Sequence, residues 1–380
     1  MELVDELYSG VFSVGGAAIQ SSLEVSNQGL IATLLVVPAA FALLLEPLLF
    51  LLADRWPRRW FVAGGLAVMA AASMACAFAP SAVLLAVFAS VSALAGSCGV
   101  EVAQATLVDL YPDDRERAMA RWTLAGAIGD LAAPLVLVVL AVIGLGWRAG
   151  FAVMAAVLLA LAVTLARAPF PAPAGGRGDD DEPGLWASFT SAVRERRLMG
   201  WLLATTLCEL LDELLVVLAA VHLREHLGAG VVARSIVIGA LVFGGVAGVA
   251  MIGGLVARFR PARLCAASAA VCAVSFVAWL AAPWIWLSAI LFALVGATSA
   301  LLYPLTMAQS YAALPGRSGA VHAASRVLAP LSLGLPLVVA WIADHAGTYV
   351  ALATIAVAPV TIAVLAISVA PAPRAVTIER

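Results

Sequence analysis

Leu3-Val4-Asp5-Glu6-Leu7, near the start of the chain, and Leu210-Leu211-Asp212-Glu213-Leu214, past its middle, read almost as copies, each inside a long apolar segment. An acidic pair that recurs about two hundred residues on, in a second hydrophobic half, points to a duplicated chain. Other landmarks extend the match. About fifty residues after the first pair comes Ala53-Asp54-Arg55-Trp56-Pro57-Arg58-Arg59-Trp60, and at the matching distance after the second comes Ala257-Arg258-Phe259-Arg260-Pro261-Ala262-Arg263-Leu264. Each is a short basic turn between apolar runs. Ala93-Leu94-Ala95-Gly96 faces Ala293-Leu294-Val295-Gly296, and Tyr111-Pro112 faces Leu314-Pro315. The register drifts by a few residues, so the halves are related and not identical. Many secondary transporters are built on internal symmetry of this kind.

Composition narrows the class. Of 380 residues, 64% are apolar and 12% charged, with a mean hydropathy of +1.06, whereas a soluble domain carries roughly a quarter charged residues. The balance excludes an ordinary soluble domain and predicts an all-α membrane protein. A span needs about 20 mostly apolar residues to cross the hydrocarbon core. The sequence supplies twelve such runs, at 3–23, 29–53, 60–79, 82–111, 118–145, 147–167, 198–223, 231–257, 262–282, 284–314, 318–343 and 347–370. They group into two pseudo-symmetric six-helix bundles, 1–167 and 198–370, joined by a linker at 168–197 and followed by a tail at 371–380. The linker holds Pro171-Ala172-Pro173-Ala174-Gly175-Gly176 and Asp179-Asp180-Asp181-Glu182, which cannot bury a core and read as solvated chain rather than a metal site.

Orientation rests on arginine alone, because the chain has no lysine. With both termini cytoplasmic, the inner turns hold Arg55, Arg58 and Arg59, then Arg115, Arg117 and Arg121, then Arg177, Arg194, Arg196 and Arg197, then Arg258, Arg260 and Arg263, then Arg317. The other face keeps only Arg148, Arg224 and Arg234. That asymmetry follows the positive-inside rule. No cleavable signal peptide precedes the first span, so this helix is expected to act as its own insertion signal. The repeat also shows that only four residues precede the first acidic pair, where about ten membrane-compatible residues precede the second. Either the true start lies upstream, which the repeat favours, or the first helix is short and its carboxylates sit near the cytoplasmic surface.

The chemistry-bearing residues are mostly acidic. An ionisable group at the centre of a span costs about 2.5–3.5 kcal/mol on insertion scales, so it should face protein or a wet cavity. Asp5, Glu6, Glu46, Glu101, Asp130, Glu209, Asp212 and Glu213 all fall in spans, with Arg326 as a cation in span eleven. Asp5, Ser9, Ser13, Gly16 and Gln20 recur at helical spacing and mark one face of span one. Such a stripe on a helix otherwise sheathed in Leu, Val and Ala points inward. Buried, neighbouring carboxyls exchange protons near neutral pH, so these residues are expected to serve substrate binding or proton coupling. Some could instead be neutral acids bonded to backbone or to arginine. Arg326 could neutralise an acid in a fixed pair or alternate with substrate or proton. Tyr303, Gln309 and His322 are the other notable polar residues of spans ten and eleven. In the turn after span two, Asp54, Arg55, Arg58 and Arg59 could latch one conformation, or act only as a topogenic loop.

Leu52-Ala53-Asp54-Arg55-x-x-Arg58-Arg59 resembles the loop motif of the major facilitator superfamily, and Gly254-x-x-Ala257-Arg258 is similar to its weaker second copy. Phe50 stands where the family pattern has its leading glycine, and Pro57 where it has its second. Val4-Asp5-x-x-Tyr8-x-Gly10, Asn27-Gln28-Gly29-Leu30-Ile31-Ala32-Thr33 and Gly126-x-x-Gly129-Asp130-x-x-x-Pro134 are similar to the fosmidomycin-resistance-type and related bacterial efflux branch. The usual arginine of span four is absent, with Ser90 and Ser92 at the plausible positions, and the Gly-Pro pair of the antiporter motif appears as Ala133-Pro134. The resemblance implies alternating-access, proton-coupled efflux of a small amphipathic or cationic compound across a bacterial inner membrane. Metabolite uptake is the alternative within transport.

A transporter-like receptor or membrane-embedded enzyme is the rival class. No nucleophile with a base and no nucleotide loop is legible, so no catalytic residue, cofactor or nucleic-acid partner is expected; small molecule, protons and bilayer are. Gly244-Gly245-x-x-Gly248 lies in a span and reads as close helix packing. Cys76, Cys98, Cys208, Cys265 and Cys272 lack CxxC spacing and read as small packing residues. His222 and His226, spaced by four, could hold a metal but read more readily as solvated side chains at a helix mouth, so no metal is expected.

Overall fold

A computed structural model describes residues 1–26, 29, 32–170 and 184–369. The middle of the linker, the extreme tail and part of the first inter-span loop thus lie outside the described residues. The chain is helical throughout that description, as the composition requires. In order, the membrane-length helices are α1 (Glu2–Leu23), α2 (Val37–Ala53), α3 (Arg58–Ala77), α4 (Ala82–Leu110), α5 (Arg115–Val142) and α6 (Trp147–Arg167). After a short linker helix, Leu185–Arg194, comes α7, split into Arg196–Cys208 and Glu213–Leu227. The series closes with α8 (Val231–Val256), α9 (Pro261–Leu280), α10 (Ile285–Ala313), α11 (Ser318–Ala346) and α12 (Thr348–Ser368).

Among the described residues, nine helices are long and apolar enough to cross a membrane by length and composition alone: α3 to α6 and α8 to α12. The other three, α1, α2 and α7, fall short of that criterion in different ways. Asp5 and Glu6 dilute the hydropathy of α1. The 17 residues of α2 follow a π-helical turn, Ala32–Val36, that supplies the missing length. α7 is broken by the 3-10 turn Glu209–Leu211 at its acidic residues. With these three the architecture is the twelve-helix one the spacing predicts.

Contacts divide the molecule into two compact units, Met1–Val193 with Leu314–Ala329, and Arg194–Ala313 with Pro330–Arg380. Within the first, α3 packs on α4 and α6, α1 on α5 and α6, and α2 on α4. Within the second, α9 packs on α10 and α12, α7 on α12, and α8 on α10. Four pairings of the first unit therefore recur in the second at equivalent positions, and the sequence repeat is also a repeat of packing.

Small residues set the closest approaches. A Cβ on Gly244 would lie 2.0 Å from the Ala293 carbonyl oxygen, and one on Gly248 would lie 2.1 Å from that of Ala297. These glycines let α8 lie directly against α10, the close packing that their spacing predicts. In the first unit, α5 presents Gly126 and Gly129 to α1: a Cβ on Gly129 would lie 2.7 Å from both the Glu6 Cβ and the Leu3 carbonyl oxygen. All five cysteines are free thiols, four buried and Cys98 half-buried.

Candidate functional site

The centre of the first unit is built on an irregularity in α4. Its backbone passes through a π-helical turn at Ser97–Glu101, which inserts an extra residue and turns the following side chains. Such turns recur at functional sites because they re-aim a side chain without ending the helix. Here the turn carries Glu101 toward α11, itself interrupted by the 3-10 turn Arg326–Leu328. The Arg326 guanidinium meets both oxygens of Glu101 through Nη2, at 2.5 and 2.6 Å. Its Nε lies 2.6 Å from Oε2 of Glu46 on α2. His322, one helical turn earlier on α11 and only 4% exposed, places Nδ1 3.1 Å from Glu101 Oε2. Ser97 donates a short hydrogen bond to Glu46 Oε1, and Glu46 is 6% exposed. The Phe50 ring closes the cluster, 5.1 Å from the His322 ring and 5.4 Å from the Arg326 guanidinium.

The charges of this cluster do not cancel without a proton. Two carboxylates face one guanidinium, and His322 is the remaining ionisable partner. With both carboxyls ionised and the imidazole neutral, these four side chains carry one net negative charge in a low-dielectric site, where such a charge is costly.

A second polar network lies at the α2–α3 turn. Asp54 accepts from the backbone N–H groups of Gly319 at 2.8 Å and Ala320 at 2.9 Å, and so caps α11, whose own N-cap residue Arg317 supplies no side-chain cap. Arg58, 5% exposed, bonds Asp109 at 2.6 Å, Asp54 at 3.2 Å and the Ser318 hydroxyl at 2.7 Å. Ser318 in turn donates to Asp109 at 2.6 Å. Asp54 lies beyond the end of α2; burial pushes its carboxyl above the ordinary 3.8, while Arg58 and the two amides pull it down. The contact needs a glycine: a Cβ at Gly319 would sit 2.2 Å from the Phe50 carbonyl oxygen. Of the four residues expected here, Asp54 and Arg58 enter the network. Arg59 turns outward over the Trp60 ring, its guanidinium carbon 5.1 Å from the centroid, and Arg55 is half-buried.

The remaining acids lie elsewhere. Glu6 faces Asp130 across the α1–α5 contact. Of the stripe expected on α1, Ser9 is exposed and Gly16 buried. Glu6, one residue off that stripe, meets α5 together with Glu2. Asp5 is half-buried and within electrostatic reach of Glu101. In the second unit, Glu209 accepts from the Ser332 hydroxyl at 2.5 Å, and Asp212 is exposed at the break in α7 with backbone angles of φ −110 and ψ −122. The side chain of Glu213 lies outside the described residues.

Four participants escaped the reading of the sequence: Ser97, Asp109, Ser318 and Gly319. Only Asp109 left a trace, standing eight residues after Glu101 as Asp54 stands eight after Glu46. Ser92, at a position where the resemblance implies arginine, bonds the Tyr8 hydroxyl at 2.6 Å and is 1% exposed. His222 is buried against Trp279 and stacks on His226 at 5.1 Å. No group of three or more His, Cys, Asp or Glu converges to hold a metal among the described residues.

The family model of the Major Facilitator Superfamily matches residues 7–332. No curated protein sequence matches the chain significantly. Among solved structures, the chain is similar to the E. coli fucose:proton symporter, with a TM-score of 0.74 at 15% identity and 98% of each chain covered. It is similar to a human organic anion transporter, with a TM-score of 0.70 at 18% identity and 96% of each chain covered. A bacterial homologue of the iron transporter ferroportin, in an outward-facing state, gives a TM-score of 0.70 at 16% identity with 97% of each chain covered. At these identities the likeness speaks for the fold.

Proposed function

The chain belongs to the major facilitator superfamily, and on that premise we propose that it is a secondary active transporter that exports a small amphipathic or cationic compound in exchange for protons. The observation that carries this reading is the cluster of Glu46, Glu101, His322 and Arg326, whose side chains carry one net negative charge when both carboxyls are ionised and the imidazole is neutral. A proton bound there offsets that charge, and coupling requires a site of that kind. Acids outnumber the one cation of the cluster: Asp5, Glu6, Asp130, Glu209 and Asp212 are further carboxyl groups along the spans. That excess favours a cation, or a neutral compound exchanged for protons, over an anion. The proton symport named for one structural neighbour makes proton coupling a natural use of this fold. Export rather than uptake rests on the resemblance of the sequence motifs at 4–10, 27–33 and 126–134 to the bacterial efflux branch, the second of which lies partly outside the described residues. The arginine asymmetry supports an orientation with both termini cytoplasmic, and a bacterial inner-membrane location rests on the same resemblance to the bacterial efflux branch.

Proton movement in sealed proteoliposomes, driven by a panel of cationic, neutral and anionic compounds, tests the proposal. A cationic or neutral amphipathic compound is expected to drive proton flux in the parent and not in Asp212→Asn, with the variant still folded. Flux driven only by anions, or unchanged in the variant, removes the acidic path from the mechanism.

A further inference from the structure

The proline, glycine and acidic stretch of the linker gives way, before α7, to the helix Leu185–Arg194. A single residue separates the two helices: Glu195 is extended, its carboxylate accepts from the Arg197 amide at 3.2 Å, and α7 begins at Arg196. A helix joined so closely to a membrane span has its C-terminal end at the bilayer surface.

Helical spacing divides its residues into three faces. Leu185, Ser188 and Ala192 share the face turned to the protein, where Ala192 is buried. On that side the Arg317 guanidinium, in the turn between α10 and α11, donates to the Ser188 carbonyl at 3.0 Å and to the Ser191 hydroxyl at 3.2 Å. Trp186, Phe189 and Val193 share a second face, about a quarter turn round. Trp186 is 74% exposed, and its ring lies 5.5 Å from that of Phe189. Ala187 and Arg194 are exposed on the third. The two bonds from Arg317 fix the helix about its own axis, so the aromatic face points in one direction.

We propose that Leu185–Arg194 is a membrane-surface anchor: Trp186, Phe189 and Val193 enter the boundary between headgroups and acyl chains, and the arginines at its C-terminal end bind the headgroups of anionic lipid. The place in the chain selects a lipid surface, because the helix ends one residue from a span. Its side chains suit that surface. Trp and Phe favour the interfacial layer, where a large apolar ring is buried while the backbone stays near water. Charge selects an anionic leaflet. Arg194, Arg196 and Arg197 follow the aromatic face with only Glu195 among them, and Arg194 and Arg196 are exposed. Guanidinium groups suit lipid phosphates in geometry and charge. The acids Asp179-Asp180-Asp181-Glu182 stand at the opposite end, before the helix begins, so an anionic surface attracts the end that adjoins the span. The anchor is independent of what the protein carries.

Spin-label accessibility on the full chain in nanodiscs tests the anchor. In a cysteine-free background a nitroxide is attached at Val193→Cys, on the aromatic face, or at Ala187→Cys, on the exposed one. Collisions are measured with molecular oxygen, which concentrates among acyl chains, and with a neutral, water-soluble nickel chelate. In discs containing phosphatidylglycerol the label at Val193→Cys is expected to favour oxygen over the chelate by about threefold relative to the label at Ala187→Cys. Arg194→Gln combined with Arg196→Gln is expected to lower that preference to the value found in discs of phosphatidylcholine alone. If Val193→Cys does not fold, Trp186→Cys reports on the same face. Equal access of the chelate to both labels overturns the anchor. So does shielding of the label at Val193→Cys from both reagents, which contact with a protein surface would give. A preference that is the same in the two lipids and unmoved by the arginine variant overturns the binding of anionic lipid.

Discussion

At the scale of residues, Asp54 shows why a polar contact need not be a stabilising one. Its carboxylate caps the start of α11 through two amides and also meets Arg58, yet burial still leaves the carboxyl above its ordinary 3.8. The folded state therefore holds this proton more tightly than the unfolded chain does. Stability from this group is greatest below the ordinary value and falls as pH rises through the raised one, so at neutral pH the ionised carboxylate costs stability while making its bonds. Asp54→Asn is thus expected to change the unfolding free energy by less than about 1 kcal/mol, while it weakens one of the two amide contacts. Thermal unfolding together with exchange at Gly319 and Ala320 checks both halves of that statement. Arg59→Ala, which removes only the contact over Trp60, should move neither by more than about 0.5 kcal/mol. The basic turn was legible in the sequence as a group, but its members were not separable there. Which arginine is buried depends on Asp109 and Ser318, residues that come close only in the fold.

At the scale of elements, the helices matter most where they fail to be regular. The π-helical turn Ser97–Glu101 in α4 has a counterpart two hundred residues on, where α10 is interrupted between Ser299 and Leu302. The repeat that the sequence displays as matched apolar runs thus extends to matched breaks. Hydropathy gave the lengths of α4 and α10 but not their interruptions, because a π turn changes hydrogen bonding without changing composition. Close packing, by contrast, was legible from glycine spacing. Gly248→Leu would force a side chain into the 2.1 Å separation from the Ala297 carbonyl oxygen, and overpacking of this kind costs about 1–3 kcal/mol or more. A lowered thermal midpoint is expected for Gly248→Leu and not for Gly239→Leu, where a Cβ meets nothing within 4 Å. The same reasoning explains the acids of α1. Gly126 and Gly129 bring α5 close to Glu2 and Glu6, so the acids that meet it are chosen by the small face of the partner helix and not by the stripe on their own.

At the scale of the whole molecule, orientation can be tested apart from mechanism. In a cysteine-free background, a thiol at Trp56 or Phe259, each more than half exposed, is expected to react with an impermeant maleimide only from the cytoplasmic side. One at Ile143 or Trp284 is expected to react only from the other side. The opposite pattern would reverse the topology that the arginines favour. The sequence by itself determined the class of the molecule, the number and order of its spans, its internal repeat and the glycines that allow close packing. These follow from composition and spacing along a single segment, because crossing a bilayer is a local demand on length and polarity. Only the tertiary structure decided which charges meet. Arg326 and Glu101 are 225 residues apart, and nothing in either segment names the other. The partners of a buried ion are chosen by packing, since an unpaired charge at that depth costs more than any local preference of the chain can supply.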